Sequence, residues 1–410
     1  MKKIYVCGPT VYNDPHIGNL RPIVTFDLML KAYRALGKKF KFIHNITDVD
    51  DKIINKAIEE NKTEQEISEL YYQKYLQLLN KMNVDTISNI EKVTDNIELI
   101  KDYINKLYTS KNAYKDNIGN VWFDVNKNKE NYGVVSNQKL DNMEFEEQNQ
   151  DKQYEADFAL WKITTKGIKF DSIFGHGRPG WHTECVALID KHFGKEGVDV
   201  HGGGMDLTFP HHENENIQHF SLFGKNLAKN WLRTGQINLN GIKMSKSLGN
   251  IISAFDFIEK YGASLFKIII LSSKFTAHIN LTQELIDNMI SIEKKYKKLL
   301  FKFFTSFFID ELDTKINDKI KEILTMISEG EFSNFNYLLN EEIKEFNRSK
   351  SIINAKNIYF ILKVIHPELT DINKYKKYID LYNEWNYFID KKDYINADKI
   401  RDILIKNDLL

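Results

Sequence analysis

Ile4-Tyr5-Val6-Cys7-Gly8-Pro9, then His16-Ile17-Gly18-Asn19, then Phe40-Lys41-Phe42-Ile43-His44-Asn45-Ile46-Thr47-Asp48-Val49-Asp50-Asp51: the order of these three runs decides the fold class. Ile4 to Cys7 reads as a short apolar strand ended by Gly8-Pro9. A helix is expected after His16–Asn19, with Pro22 near its first turn and Gly37 as its stop. Ile23, Phe26, Leu30 and Tyr33 recur at helical spacing and give it one apolar stripe. Phe40, Phe42 and Ile43 form a second strand, closed by the run from Asn45 to Asp51. Strand, helix, strand in this order predicts an α/β parallel-sheet domain whose ligands sit at the carboxyl ends of the strands. Cys7 and Thr47 both fall at such ends.

Outward from this core the pattern changes. Between about Glu91 and Tyr154 a helix precedes a hairpin-like segment, Ala113 to Val125, with Gly119-Asn120 as its turn. The polar stretch from Asn137 to Gln153 completes what reads as an insertion between two halves of the sheet domain. The α/β pattern is expected to resume at Phe158-Ala159-Leu160-Trp161-Lys162, with a later strand at Val198-Asp199-Val200-His201 running into Gly202-Gly203-Gly204. Beyond about Ile290 the chain reads as helical almost to its end. The expected segments are therefore 1–90 (sheet domain, first half), 91–155 (insertion), 156–235 (second half), 236–290 (a region with a lysine loop) and 291–410 (an all-α domain).

The composition sets limits. Of 410 residues, 42% are hydrophobic and 28% charged, as in a globular protein with ample core. No apolar run approaches the roughly 20 residues of a membrane span, and the N-terminus turns polar at Gly8-Pro9 before a signal sequence develops. Cys7 and Cys185 are the only two cysteines, which fits a reducing, cytoplasmic setting with free or metal-bound thiols. The balance of 57 basic and 57 acidic residues gives no whole-chain case for nucleic acid. The runs Lys294-Lys295-Tyr296-Lys297-Lys298 and Lys374-Tyr375-Lys376-Lys377-Tyr378 are either solvated helix faces or local basic patches.

Three motifs carry chemistry. Pro210-His211-His212-Glu213-Asn214-Glu215 places His211 and Glu215 on one helix face at i,i+4. With Cys7 and Cys185 they offer two thiolates, an imidazole and a carboxylate, a full tetrahedral zinc shell. Asp48, Asp50 and Asp51 suggest magnesium less strongly than they suggest acids at a helix start before Lys52-Ile53-Ile54. His16-Ile17-Gly18-Asn19 lies at a helix N-terminus, where amides and dipole favour phosphate, with His16 and Asn19 able to bond a transferring phosphoryl group. Lys243-Met244-Ser245-Lys246-Ser247-Leu248-Gly249-Asn250 can close two ammonium groups over a triphosphate.

On these motifs, together with Gly177-Arg178-Pro179-Gly180-Trp181-His182-Thr183-Glu184-Cys185 and His201-Gly202-Gly203-Gly204-Met205-Asp206-Leu207, the chain resembles the cysteinyl-tRNA synthetases, a family of class I aminoacyl-tRNA synthetases. The resemblance runs over essentially the whole chain. It implies a Rossmann-like catalytic domain split by a connective insertion, a stem-contact region and a helical anticodon-binding domain, in a monomer. It implies ATP with Mg²⁺, L-cysteine and tRNA(Cys) as partners, one zinc ion on Cys7, Cys185, His211 and Glu215, and no membrane. By the same resemblance Thr47, Trp181 and His201 line the cysteine pocket. His16, Gly18, Asn19, Gly203, Asp206 and Lys246 serve ATP, and Lys243 joins His16, Asn19 and Lys246 in catalysis. Asn19 stands where the family has a second histidine. The family's leading segment and its terminal strand are expected to be missing. A cysteine ligase of the same fold acting on an amino sugar and a zinc hydrolase are the rival readings, and the helical tail and the lysine loop respectively weigh against them.

Overall fold

The computed structural model describes residues 1–145, 151–245 and 248–410, which divide into two compact units. One comprises Met1–Ile23, Lys39–Leu79 and Thr86–Gln236; the other comprises Val24–Lys38, Asn80–Asp85 and Ile237–Leu410.

In the first unit β1 (Lys2–Val6), β2 (Phe40–Ile46) and β3 (Asn89–Lys92) lie parallel. The next four strands, β4 (Ala113–Lys115), β5 (Val121–Phe123), β6 (Phe158–Ile163) and β7 (Gly177–Pro179), form a separate antiparallel sheet. Then β8 (Val198–Gly204) and β9 (Ala228–Thr234) return to the first sheet and complete the parallel order β3-β2-β1-β8-β9. The chain winds to one side of β1 with β2 and to the other with β8. The crevice beyond the carboxyl ends of β1 and β8 is thus the topological switch point where open α/β sheets bind ligands.

Two expectations need correction. The segment Phe158–Ile163 is not a resumption of the parallel sheet: β6 pairs antiparallel with both β5 and β7, so the second half of that sheet begins at Val198 and not near residue 156. Residues 158–161 are all buried. A continuous apolar run reports two covered faces and says nothing of strand direction. Nor does the helix begin after His16–Asn19. It spans Ile17–Ala35, so Gly18 and Asn19 lie inside its first turn.

Tyr5, Ile43, Val186, Leu188, Val198 and Ile217 share one buried cluster in this unit, and each fully buried aliphatic side chain contributes about 1.5–3 kcal/mol. His44 is buried beside it, with Nδ1 2.9 Å from the Val6 carbonyl and Nε2 2.9 Å from the Tyr75 hydroxyl. Burial pushes its pKa down from 6.5 to about 4, against the bond to Val6. The folded state therefore binds a proton less readily than the unfolded chain. Its contribution is fully present above pH ~6.5 and is lost as the pH falls towards ~4, by up to about 3 kcal/mol. Urea unfolding near pH 7 and near pH 5 is expected to differ by about 2 kcal/mol more in the parent than in His44→Gln. Equal pH dependence in both proteins would refute this.

In the second unit β10 (Ile237–Leu239) pairs with β11 (Ile242–Lys243) and β12 (Ile279–Leu281). The rest is helical, including Ala254–Leu271, Gln283–Ser306, Phe332–Ser349, Ile352–Ile365, Lys376–Asp390 and Tyr394–Lys406. No helix among the described residues is long and apolar enough to cross a membrane.

Candidate active site

The switch point gathers the four sulfur, nitrogen and oxygen donors singled out in the sequence. Cys7 follows β1, its N–H donating to the Gly202 carbonyl of β8 (3.0 Å). Cys185 lies in the helix Trp181–Phe193, and His211 enters the helix Glu213–Phe223 that carries Glu215. Cys7 Sγ is 3.8 Å from Cys185 Sγ and 3.7 Å from Glu215 Oε1. His211 Nε2 is 3.7 Å from Cys185 Sγ and 2.8 Å from Glu215 Oε1. All four donor atoms lie within 4.8 Å of one another. A tetrahedral zinc shell with bonds of 2.0–2.3 Å has donor–donor edges of about 3.5 Å, so this set fits such an ion. Cys185, His211 and Glu215 are essentially inaccessible to solvent, while Cys7 is half-buried.

The charges point the same way. Burial and the neighbouring Cys185 and Glu215 push the Cys7 thiol well up. Burial opposes a charge on His211, but Glu215 with Cys185 outweighs it and raises its pKa to about 10. Burial likewise opposes an ionised Glu215, yet His201 and His211 hold it well below the usual carboxylate range. The pocket therefore keeps negative charge that only a buried proton compensates, and a dication displaces such protons when it binds thiols and imidazole. Orphaned atoms add to this. His201 Nε2 lies 2.6 Å from Glu215 Oε2 without hydrogen-bond geometry, and both atoms lack a hydrogen-bond partner.

A second set, Cys7, His201, His212 and Glu215, overlaps the first. The tautomers decide between them. Arg233 Nε donates to His212 Nδ1 (3.2 Å), and burial with the neighbouring His201 keeps this ring neutral. Its proton then sits on Nε2, the atom facing Cys7 at 3.7 Å, leaving no lone pair there for a metal. His211 is arranged the opposite way. Its Nδ1 lies 3.1 Å from Nδ1 of His182, whose charged form is suppressed by burial and by His211. A proton held between these two Nδ1 atoms leaves Nε2 as the nitrogen that gives up its proton when a metal binds.

Residues 1–291 match the family described as the class I (C) tRNA synthetase catalytic domain. A cysteine–tRNA ligase of Mesomycoplasma hyopneumoniae is 43% identical over 403 residues, covering 98% of this chain and 96% of that protein. The chain belongs to the cysteine–tRNA ligase family of class I synthetases. It is accordingly an enzyme, an ATP-dependent ligase. A cysteine–tRNA ligase of Mycoplasmopsis pulmonis is 42% identical over 413 residues, covering 100% of this chain; the chain spans 65% of that protein's length. Among solved structures, a Mycobacterium tuberculosis methionyl-tRNA synthetase with methionyl-adenylate superposes with a TM-score of 0.60 at 13% identity, over 93% of this chain and 85% of that one, a likeness of fold alone.

In this ligase fold the other expected site residues fall as follows. Thr47 follows β2, buried, and its hydroxyl donates to Glu184 Oε2 (2.9 Å). Trp181 stacks on the His211 ring at 4.2 Å and is 37% exposed, so one face covers that imidazole while the rest stays open. His201 is wholly buried and stacks on Trp231 at 4.6 Å. Gly203 is buried in β8 and Asp206 is exposed just beyond it. Lys243 ends β11 in the other unit, with its carbonyl accepting from Asn250 Nδ2 (3.1 Å). Lys246 lies outside the described residues.

His16 and Asn19 form a reciprocal cap. His16 Nδ1 accepts from the Gly18 N–H (3.1 Å), and Asn19 Oδ1 accepts from the His16 N–H (3.1 Å). This is a variant of the capping box: Asn19 at N3 reaches back to the N-cap amide as usual, but the His16 imidazole takes the N2 amide instead of the N3 one. Asn19→Ala is expected to lose about 1 kcal/mol of stability and, under the ATP role proposed for His16 below, to slow ATP–pyrophosphate exchange by loosening that side chain. Asn19→Gln, which can still reach back, is expected to recover part of both, and ATP–pyrophosphate exchange by the two variants distinguishes the outcomes.

Glu184, His182, His212 and Arg233 escaped the sequence reading. The doublet His211-His212 was a visible signal, since both precede Glu215 within one helical turn. Nothing local to Arg233 marks it, because its partner is twenty-one residues upstream.

Proposed function

We propose that this chain activates L-cysteine with ATP and transfers the cysteinyl group to the 3′ end of tRNA(Cys), using one zinc ion held by Cys7, Cys185, His211 and Glu215. The observation that carries this reading is the buried set of two sulfurs, an imidazole and a carboxylate at the switch point of the sheet, with His211 oriented by His182. In the first step a carboxylate oxygen of cysteine attacks the α-phosphorus of ATP and pyrophosphate leaves. In the second a terminal ribose hydroxyl attacks the carbonyl carbon and AMP leaves. Both steps need positioning and charge stabilisation more than a protein nucleophile.

His16, held by the Asn19 cap, and the positive N-terminal end of the helix Ile17–Ala35 would face the phosphate oxygens, with Mg²⁺ accompanying ATP. Lys243 and Lys246 would add cationic charge to the triphosphate. Thr47, Trp181 and His201 would surround the amino acid. Bound zinc would supply a soft centre for the substrate's thiolate, which a serine hydroxyl matches poorly. Discrimination of about 10⁴ corresponds to about 5.5 kcal/mol, more than the 1–3 kcal/mol that a pocket gains from one methylene.

The test is transfer of labelled cysteine to total tRNA by the purified chain, with serine as control and with zinc removed by a chelator. Cysteine on tRNA, lost on chelation and restored by zinc, is the expected result. Cysteine-dependent pyrophosphate exchange without any charging of tRNA would overturn the transfer step, and charging indifferent to chelation would overturn the metal.

A further inference from the structure

We propose that the helical unit contains a second ligand site, a pocket for a nucleoside monophosphate, built where the helix Ala254–Leu271 breaks at Gly262. Gly262 has φ 82° and ψ 163°, outside the helical region and at a positive φ that only glycine adopts readily. A Cβ there would meet nothing within 4 Å, so the backbone angle and not crowding calls for glycine. The break interrupts the ladder of i to i−4 bonds and leaves amides in the first turn of residues 263–271 without helical carbonyl partners.

Ser264 lies in that turn and lines a cavity of about 460 Å³. It is 3% exposed, and its hydroxyl has no hydrogen-bond partner. A buried, unpaired hydroxyl is unfavourable by itself, so an acceptor oxygen entering the cavity beside the free amides would satisfy it. The fixed charges favour an anion there. Of the two carboxylates lining the cavity, Glu293 is paired with Lys297 (2.8 Å) and Glu368 with Lys267 (2.8 Å). Two further lysines line it. Lys81 has no carboxylate partner among the described residues, and Lys374 donates to the Glu368 carbonyl (2.8 Å). The remaining charge is positive, as a phosphate requires.

Two more features ask for the rest of a nucleotide. Glu368 Oε1 is buried without a hydrogen-bond partner, 3.6 Å from His366 Nδ1, and it can accept from a ribose hydroxyl. Tyr261, Tyr375 and Tyr378 supply aromatic wall, on which a base of any identity can stack. The ligand chemistry is thus phosphate, sugar hydroxyl and flat ring together. It can come from a free nucleotide or from a nucleotide within an RNA strand.

The experiment titrates the full chain with UMP, uridine and inorganic phosphate by calorimetry, and with tRNA by filter binding, in the parent, Ser264→Ala and Lys81→Glu. UMP is expected to bind more tightly than either of its parts. Ser264→Ala is expected to weaken it about tenfold or more, the loss of one hydrogen bond to a charged group, and Lys81→Glu to weaken it further. Because the hydroxyl has no partner to lose, Ser264→Ala should melt no lower than the parent and should leave ATP–pyrophosphate exchange unchanged. If tRNA affinity falls in step, the natural source is RNA; if only UMP binding falls, it is a free nucleotide. Neither UMP nor tRNA binding responding to the two variants would overturn the site. Phosphate binding as tightly as UMP would overturn its nucleoside part.

Discussion

Glu215→Ala is expected to abolish metal binding and cysteine activation together, the largest effect of any single change in the pocket. Glu215 is wholly buried and touches three of the groups around it. Oε1 is 2.8 Å from His211 Nε2 and 3.7 Å from Cys7 Sγ, while Oε2 is 2.6 Å from His201 Nε2. Removing the carboxylate deletes one of the four donors proposed for the metal and leaves the buried His211 imidazolium without its counter-charge. Breaking a buried charge pair from one side is destabilising by about 3–5 kcal/mol, so the variant should also melt well below the parent. Zinc content measured on the purified variant should be near zero, with cysteine-dependent pyrophosphate exchange lost along with it. Glu215→Gln separates the two contributions, since it keeps the shape and loses the charge. Zinc content and cysteine KM like those of the parent in Glu215→Ala would remove the carboxylate from the centre altogether.

Gly8→Ala is expected to be the most damaging conservative change in the chain. A Cβ at Gly8 would stand 1.6 Å from the Asn45 carbonyl oxygen and 2.7 Å from its carbon, both main-chain atoms at the end of β2. No side-chain rotation relieves such an overlap, so one of two adjacent parallel strands has to shift. The shift would reach the site from both sides, because Cys7 precedes Gly8 and Thr47 lies two residues past Asn45. The contact is also held by the Gly8 N–H, which donates to Asn45 Oδ1 (2.9 Å). A loss above about 4 kcal/mol, in the range reserved for overpacked cores, should leave little soluble protein, and what remains should bind zinc poorly. Asn45→Ala, which removes that acceptor without adding volume, should be milder by comparison, about 1–3 kcal/mol. A melting temperature for Gly8→Ala equal to that of the parent would show that the strands have room the structure denies them.

The candidate donors that the structure brings together are legible in the sequence. Cys7, Cys185, His211 and Glu215 stand far apart in the chain, but few residue types bind soft metals, and only two cysteines were available. The part that was not legible has particular causes. Whether His211 or His212 offers a free nitrogen depends on His182 and Arg233, which approach from other elements. The cap between His16 and Asn19 was hidden because the helix starts at Ile17, and sequence rules place such starts only to within a few residues. The direction of Phe158–Ile163 was hidden because its apolar run reports burial and not its neighbours.

The sequence by itself determined the strand–helix–strand order at the N-terminus, the helical character of the last third, and the chemistry of the metal donors. Those depend on local periodicity and on side-chain type, which a single chain displays directly. Only the tertiary structure decided which sheet received β6, which imidazole turns the nitrogen a metal can take towards the sulfurs, and where Gly262 opened a helix onto a cavity. Each of these depends on a backbone angle or on an atom contributed from elsewhere in the chain, and neither leaves a periodic trace in the residues around it.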